Sequence, residues 1–191
     1  MGGESFSCYH LGRMYESGRG VGRDEKRAVV LFQKACDGGE MLGCANLGWM
    51  YESGRGVGKD DKRAVDLYQK ACDSGKMPAC VNLGWMYESG RGVGKDDKRA
   101  VDLYQKACDG GEMRACVNLG WMCESGRGVG KDDKRAVVLF QKACDGGEKH
   151  GCWNLGFVYA DGRGVAKDEK RAVDLYQKAC NSGRAAARIL A

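Results

Sequence analysis

Proline, histidine and long apolar runs are scarce in this sequence. Its 191 residues include one proline and two histidines, and no apolar run approaches the ~20 residues that a membrane-spanning helix needs. Lys and Arg form no block of the kind that binds nucleic acid, and the net charge of +5 is spread along the chain. Residues 1–4 carry neither the basic nor the apolar region of a signal peptide. We therefore expect no membrane insertion and no nucleic-acid partner.

The sequence also lacks the motifs of known catalytic and cofactor sites. No Ser-x-x-Lys occurs, which excludes the serine β-lactamase arrangement. His10 and His150 stand near opposite ends of the chain, too far apart to act as a pair. Residues 54–59 resemble a phosphate loop, but Ser53 replaces its first glycine and Asp60 follows its lysine. We therefore expect residues 54–59 to form a structural turn. We expect no metal and no cofactor, and no group of residues in the sequence forms a convincing catalytic site.

An internal repeat dominates the chain. The stretch 44–73 returns at 80–109 with one change, Ala45 becoming Val81, and looser copies keep the same 36-residue offset. A fixed period of this size indicates a solenoid, in which each unit packs on its neighbours. We predict one solenoid domain over 1–191. Its predicted repeats are 2–37, 38–73, 74–109, 110–145 and 146–181, with a C-terminal cap at 182–191.

The pattern within each repeat predicts two helices joined by a glycine turn. Cys44 and Leu47 lie on one face of the first, helix A, and Tyr68 lies on the core face of the second, helix B. Residues 54–58 supply the turn, and Asp60 is placed to cap helix B. A single helix pair cannot bury the apolar faces of both its helices, so successive repeats must stack on one another. We expect an all-α, right-handed superhelix with helix A lining its concave side.

The motif resembles a known repeat family. Asn-Leu-Gly-x-Met-Tyr at 46–51, Gly-x-Gly-Val at 54–57 and the Lys-Asp…Ala…Tyr…Ala pattern at 59–71 are similar to the Sel-one-like repeat, a relative of the tetratricopeptide repeat. The cysteine at each helix junction narrows the resemblance to the Helicobacter cysteine-rich proteins. That resemblance implies a solenoid with a disulfide in each unit, a secreted or periplasmic location and a role as a protein-interaction adaptor. Some members are described as binding penicillins or hydrolysing them slowly, but no motif for that activity is present to transfer.

The cysteine spacing fits the implied disulfides. Each pair joins the last turn of one helix B to the first turn of the next helix A, where we expect Cα atoms roughly 5–6 Å apart. A metal site and reduced, buried thiols remain as alternatives. The predicted pairs are Cys36–Cys44, Cys72–Cys80, Cys108–Cys116 and Cys144–Cys152. Three cysteines remain: Cys123 is expected to be a buried free thiol, and Cys8 and Cys180 stand at positions whose partners are missing.

Equal positions in successive repeats point to a candidate ligand groove on helix A. Its face opposite the core carries aromatic residues, which are favoured anchors at interfaces, beside carboxylates that would prefer a basic ligand. A row of asparagines could bond a peptide backbone or the neighbouring helix, and the tryptophans could instead pack between repeats. The predicted groove residues are Arg13, Trp49, Trp85, Trp121, Trp153, Phe157, Glu52, Glu88, Glu124, Asn46, Asn82, Asn118 and Asn154.

These observations favour a non-catalytic scaffold that binds a protein or peptide in the helix-A groove. The first alternative, a penicillin-binding protein or slow β-lactamase, rests on family analogy alone. The second is a consensus-like designed repeat with no native ligand, because two units are nearly identical. We expect a monomer, and the odd number of cysteines leaves open a disulfide-linked dimer through Cys8 or Cys180.

Overall fold

The computed structural model describes residues 2–188, and side chains within residues 3–181. This part of the chain forms ten α-helices and no strand. The helices are α1 (Gly2–Ser17), α2 (Glu25–Asp37), α3 (Met41–Ser53), α4 (Asp61–Asp73), α5 (Met77–Ser89), α6 (Asp97–Asp109), α7 (Met113–Ser125), α8 (Asp133–Asp145), α9 (Lys149–Asp161) and α10 (Glu169–Arg188). Odd-numbered helices are the predicted helices A, and even-numbered ones the helices B. They fall into two compact units, Met1–Asp96 and Asp97–Ala191.

In the first unit, α1 to α5 pack each on the next. Their apolar faces meet in a core built around Phe32, Leu47 and Met50, none of which is exposed to solvent. Tyr68 is equally buried. The helix faces predicted from the 3.6-residue spacing are therefore the ones that are buried, and the all-α repeat fold is confirmed for this unit.

The second unit repeats the arrangement with α6 to α10, and α7 also contacts α9. Its core includes Tyr104, Leu119, Phe140 and Leu155, all fully or almost fully buried. Helix α10 continues to Arg188, into the predicted cap at 182–191. The side chains of that predicted cap, and residues 189–191 altogether, lie outside the described residues. None of the ten helices is both long and apolar enough to span a membrane.

Side-chain caps and glycines set the helix ends. The Asp60 carboxylate accepts a hydrogen bond from the backbone N–H of Arg63 at 3.0 Å, as predicted, and so fixes the start of α4. The same cap recurs at Asp24, Asp132 and Asp168. Gly54 caps the C-terminal end of α3, because its left-handed conformation lets its N–H reach the carbonyl of Met50.

Disulfides join each helix B to the helix A that follows it. All four predicted bonds are present: Cys36–Cys44, Cys72–Cys80, Cys108–Cys116 and Cys144–Cys152. Their Cα–Cα distances are 4.3–4.8 Å, shorter than the expected 5–6 Å, because only residues 74–76 separate α4 from α5 and the other junctions are equally short. For these eight cysteines the structure shows the disulfide rather than the metal or thiol alternative.

The three remaining cysteines are unpaired. Cys180 is exposed and Cys8 is partly buried. Cys123 is completely buried, as predicted, and its burial raises the pKa of the thiol. A buried neutral thiol packs as a small apolar side chain, so Cys123 contributes to the core of the second unit.

In the first unit, arginines of two glycine turns clamp their repeats to the preceding repeat. The guanidinium of Arg55 binds the Glu25 carboxylate, with its Nε 2.8 Å from Oε1. Arg91 binds Asp61 in the same way at 2.7 Å. Both acids lie in the first turn of a helix B. The turn that looked like a phosphate loop is therefore a structural contact between repeats.

This clamp should make stability sensitive to acid. Hydrogen bonds from Arg91 lower the pKa of Asp61, although burial opposes the shift. A carboxyl group whose pKa is lowered in the folded state adds stability above its unfolded pKa of about 4 and loses it as pH falls through the lower folded pKa. We expect the free energy of unfolding to fall below about pH 4, and less steeply in Arg91→Gln. Denaturant titrations across this range measure both slopes, and equal slopes would contradict the clamp.

Candidate functional site

In the first unit, the predicted helix-A aromatics lie beneath arginines of the glycine turn. The guanidinium of Arg55 sits 4.4 Å from the ring centroid of Trp49, and that of Arg91 sits 4.5 Å from Trp85. Trp49 also packs on the core and is half-buried, whereas Trp85 is 40% exposed. Stacking on an arginine fixes the position of each indole ring.

In the second unit, Trp121 on α7 and Trp153 and Phe157 on α9 are exposed. Trp121 is 40% and Trp153 is 48% exposed. Trp153 stacks on Phe157, with ring centroids 6.0 Å apart and planes 7° from parallel, and Trp121 meets the buried Phe140 edge to face. Arg163 covers the Phe157 ring at 4.6 Å. These contacts hold large apolar surfaces in fixed positions facing solvent.

A pocket of about 360 Å³ opens between the two tryptophans of the second unit. Helix α7 supplies Val117, Asn118 and Trp121 to its wall, and α9 supplies Trp153 and Asn154. A second, largely apolar pocket lies between Trp153 and the α10 residues Tyr176 and Ala179. The volume falls in the range typical of sites for small ligands or short peptide segments, which combine apolar walls with a few polar groups.

The charges around this pocket nearly balance. Arg114 and Glu148 both contribute to its rim. Burial disfavours ionisation of Glu148, but hydrogen bonds from the backbone N–H and ring of His150, together with the charge of Arg114, outweigh it and lower the carboxyl pKa. The distance from His150 Nδ1 to the Glu148 carboxylate is 2.7 Å. Ionised Glu148 therefore offsets the charge of Arg114 at the pocket.

The predicted carboxylate row is engaged inside the chain. Glu52 accepts a hydrogen bond from the Tyr68 hydroxyl at 2.7 Å and lies 3.5 Å from Arg91. Glu124 is 8% exposed and lies 2.6 Å from Arg163. Glu88 also has an interaction within the protein. Since Arg91 and Arg163 already offset the Glu52 and Glu124 charges, the structure gives no support to the expectation that these carboxylates select a basic ligand.

The four asparagines of the predicted groove differ in their contacts. Burial raises the pKa of the Tyr68 phenol, and the nearby side chain of Asn82 opposes that rise. Asn118 is half-buried in the pocket wall. Asn154 is 3% exposed, and its Oδ1 has no hydrogen-bond partner. Asn46 also has an unpartnered amide atom, Nδ2.

Family comparison agrees with this architecture. The Sel1 repeat model matches residues 5–40, 42–76, 78–112, 114–148 and 149–183. The chain belongs to the Sel1 repeat family. No curated protein matches it.

Solved structures of Sel1 type resemble the chain closely in fold. A protective antigen present in uropathogenic Escherichia coli strains, displaying an SLR fold, is 31% identical with a TM-score of 0.88, over 95% of this chain and 39% of that protein. A Sel1 repeat protein from Oxalobacter formigenes is 30% identical with a TM-score of 0.89, over 94% and 71%. The cysteine-rich protein B of Helicobacter pylori is 35% identical with a TM-score of 0.55, over 68% and 93%. The predicted resemblance to the Helicobacter proteins is thus confirmed, while this Sel1 chain spans well under half of the E. coli antigen.

The structure brings only part of the predicted groove of this Sel1 protein into one pocket. Asn118, Trp121, Trp153 and Asn154 come together, whereas Arg13 lies exposed beside Glu16, 3.4 Å away. The predicted groove residues did not include the arginines that clamp the turns, nor Arg114 and His150 at the pocket. Arg114 and His150 occupy the same repeat position as Leu42, a position that varies among the repeats, and this variation was the available signal.

Proposed function

We propose that this Sel1 chain is a non-catalytic scaffold that binds a protein or peptide through the aromatic surface of its helices A. The exposed, orientationally fixed tryptophans carry the proposal, above all Trp121 and Trp153 at the pocket of the second unit. Tryptophan is enriched among residues that dominate binding energy, particularly where a pocket lets a partner cover it. No feature of the described residues favours β-lactam chemistry, so the proposal does not include it.

Preorganisation is the mechanism that we propose for this binding. Binding loses free energy when side chains and loops must be ordered, by roughly 0.5–1.5 kcal/mol for each rotamer-rich side chain. Here the disulfide between Cys144 and Cys152 fixes the start of α9, and stacking on Phe157 fixes Trp153. The pocket can therefore accept a ligand with little further ordering.

The disulfides also support a proposed location outside the cytoplasm. Such bonds form and persist in oxidising compartments, including the bacterial periplasm and the extracellular space, and are rare in reducing ones. Four bonds at equivalent repeat junctions would all be lost in a reducing cytosol. We propose a secreted or periplasmic protein, and mass spectrometry of thiols alkylated in its native cells should find the eight junction cysteines protected.

Selection of ligands from a displayed library of random peptides tests the binding proposal. We expect peptides that bind the oxidised protein, and we expect Trp153→Ala to weaken them at least about 30-fold, because loss of a dominant aromatic contact costs about 2 kcal/mol or more. Val138→Ala is the matched control, since Val138 is a 66% exposed apolar residue on α8. Peptides that bind the Trp153 variant as tightly as the wild type would contradict the proposal.

A further inference from the structure

The last helix B exposes a face that is buried at the junctions inside the chain. At the junction between α4 and α5, three residues of the helix B are fully buried: Tyr68, Ala71 and Cys72. The equivalent residues of α10, three repeats later, are Tyr176, Ala179 and Cys180. The tyrosine and the alanine are only half-buried, and the cysteine is exposed. All three line the apolar pocket between α9 and α10, which is where a following helix A would pack.

The described part of α10 does not fold back over this face. The helix α4 ends at Asp73, and the chain then turns back into α5 after three residues. In contrast, α10 runs as one helix from Glu169 to Arg188. The face therefore stays open in the part of the chain that the structure describes.

The first repeat exposes the opposite half of the same kind of junction. Leu47 and Met50 of α3 are fully buried, and they share a core cluster with Phe32 of the preceding helix B. Their equivalents on α1 are Leu11 and Met14, which are 40% and 38% exposed. Helix α1 thus presents the apolar side chains that cover a helix B elsewhere in the chain. Adjacent exposed apolar side chains of this kind are typical of interaction surfaces.

The charges of the two open faces are complementary. In the first unit, a turn arginine binds the first acid of the preceding helix B, as Arg55 binds Glu25. Arg19 holds the equivalent turn position in the first repeat, where it is exposed and has no carboxylate partner among the described residues. Glu169 holds the acid position at the start of α10 and is paired with Lys167 of its own repeat. The Glu169 side chain is 75% exposed, compared with 26% for Glu25.

The unpaired cysteines of the end repeats complete the match. At each junction inside the chain, a cysteine in the last turn of a helix B is bonded to one near the start of the next helix A, as Cys72 is to Cys80. Cys180 holds the first of these positions and Cys8 holds the second, and both are unpaired. Each open face therefore carries the partner that the other lacks.

We propose that the partner of this face is a second copy of the chain, with α1 of one copy packed on α10 of the other as α3 packs on α2. A disulfide between Cys180 and Cys8 fixes the contact, and Arg19 reaches Glu169 across it. The contact joins unlike faces, so it can repeat from copy to copy, unlike a symmetric dimer. It uses none of the pocket between Trp121 and α9, and it is independent of the proposed peptide binding.

The bond forms by exchange with a low-molecular-weight disulfide, such as glutathione disulfide. The Cys180 thiolate attacks one sulfur of glutathione disulfide, which gives a mixed disulfide and releases one glutathione thiolate. The Cys8 thiolate of the other copy then attacks the Cys180 sulfur and releases the second glutathione thiolate. Two protein thiols are oxidised, and one glutathione disulfide is reduced to two thiols. The protons that the cysteines lose pass through solvent to the released thiolates.

Mixing two single variants tests the pairing of unlike cysteines. Cys8→Ser retains Cys180, and Cys180→Ser retains Cys8. In a glutathione redox buffer, we expect the mixture to form linked pairs on non-reducing gels, neither variant alone to do so, and the wild type to form a ladder at multiples of 20.7 kDa. Mass spectrometry should find the tryptic peptides 1–13 and 179–184 joined. No linking in the mixture, or equal linking of one variant alone, would overturn the inference.

Surface variants show whether docking directs the bond. Leu11→Asp, in the copy that retains Cys8, places a charge where the equivalent leucines are buried, and should slow linking to the other copy at least about tenfold. Val30→Asp is the matched control, because Val30 is 61% exposed and Asp66 stands exposed at the same position of the next repeat.

Arg19→Glu, in the same copy, changes only an exposed side chain and should slow linking about fivefold. Circular dichroism verifies that each variant remains helical. If Leu11→Asp loses its helices, Arg19→Glu alone decides. Linking at the rate of the Val30→Asp control in every folded variant would show that the thiols react without docking and would overturn the inference.

Discussion

Reducing the four disulfides is expected to unfold most of this protein at moderate temperature. Each bond closes a loop of nine residues, which restricts the unfolded chain and stabilises the fold by about 2.5 kcal/mol in the chain-entropy model. Four bonds together contribute about 10 kcal/mol, similar to the 5–15 kcal/mol that typically separates folded from unfolded domains. Thermal unfolding followed by circular dichroism, with and without a phosphine reductant, measures the effect.

Single-bond variants separate this effect from general damage. Replacing both Cys72 and Cys80 with serine should lower the free energy of unfolding by about 2–3 kcal/mol. Cys180→Ser is the control, because Cys180 is exposed and unpaired; it should change little. Equal melting temperatures for the oxidised and reduced wild type would show that stacking alone maintains the fold.

Gly92→Ala is expected to destabilise the first unit by about 3 kcal/mol or more. Gly92 has a φ of +67°, which strains any residue with a Cβ atom. An added Cβ would also lie 2.2 Å from the carbonyl oxygen of Asp61, a backbone atom that cannot move aside cheaply. The turn would have to retreat from the preceding repeat and would weaken the clamp between Arg91 and Asp61. Urea unfolding of the purified variant gives the free energy directly.

Substitutions at two other glycines separate the two causes of this destabilisation, which are backbone strain and the clash of the added Cβ atom. Gly94 lies in the same turn with open space around its Cβ position and without a positive φ, so Gly94→Ala should be nearly neutral. Gly75 has a φ of +86° but nothing within 4 Å, so Gly75→Ala should show the backbone strain alone, about 1 kcal/mol. A loss at Gly92 no larger than that at Gly75 would mean that the close approach between repeats is unimportant.

The local part of this structure could be predicted from the sequence. Helical spacing placed Leu47 and Tyr68 in the core, and the Asp60 cap follows from its position before helix B. The disulfide pairs follow from a short junction that brings helix ends together. All of these depend on residues within a few turns of one another, where helix geometry fixes the distances.

Contacts between repeats could not be predicted in the same way. Arg91 reaches Asp61, thirty residues earlier in the chain, and no single-repeat pattern fixes how closely two hairpins approach. The carboxylate row was expected to face a ligand, but Glu52 turns to Tyr68 and Arg91 because a partly buried charge gains most from partners nearby.

The indole N–H resonances of the four tryptophans provide the most direct test of the central claim, that the helix-A aromatic surface binds a peptide. A ¹⁵N-labelled sample of the oxidised protein is titrated with a selected peptide, and the four resonances are assigned by Trp→Phe variants. We predict saturable shifts of the Trp121 and Trp153 resonances, and loss of the Trp121 shift in Trp153→Ala at the same peptide concentration. Saturable binding that moves none of the four indole resonances would contradict the account.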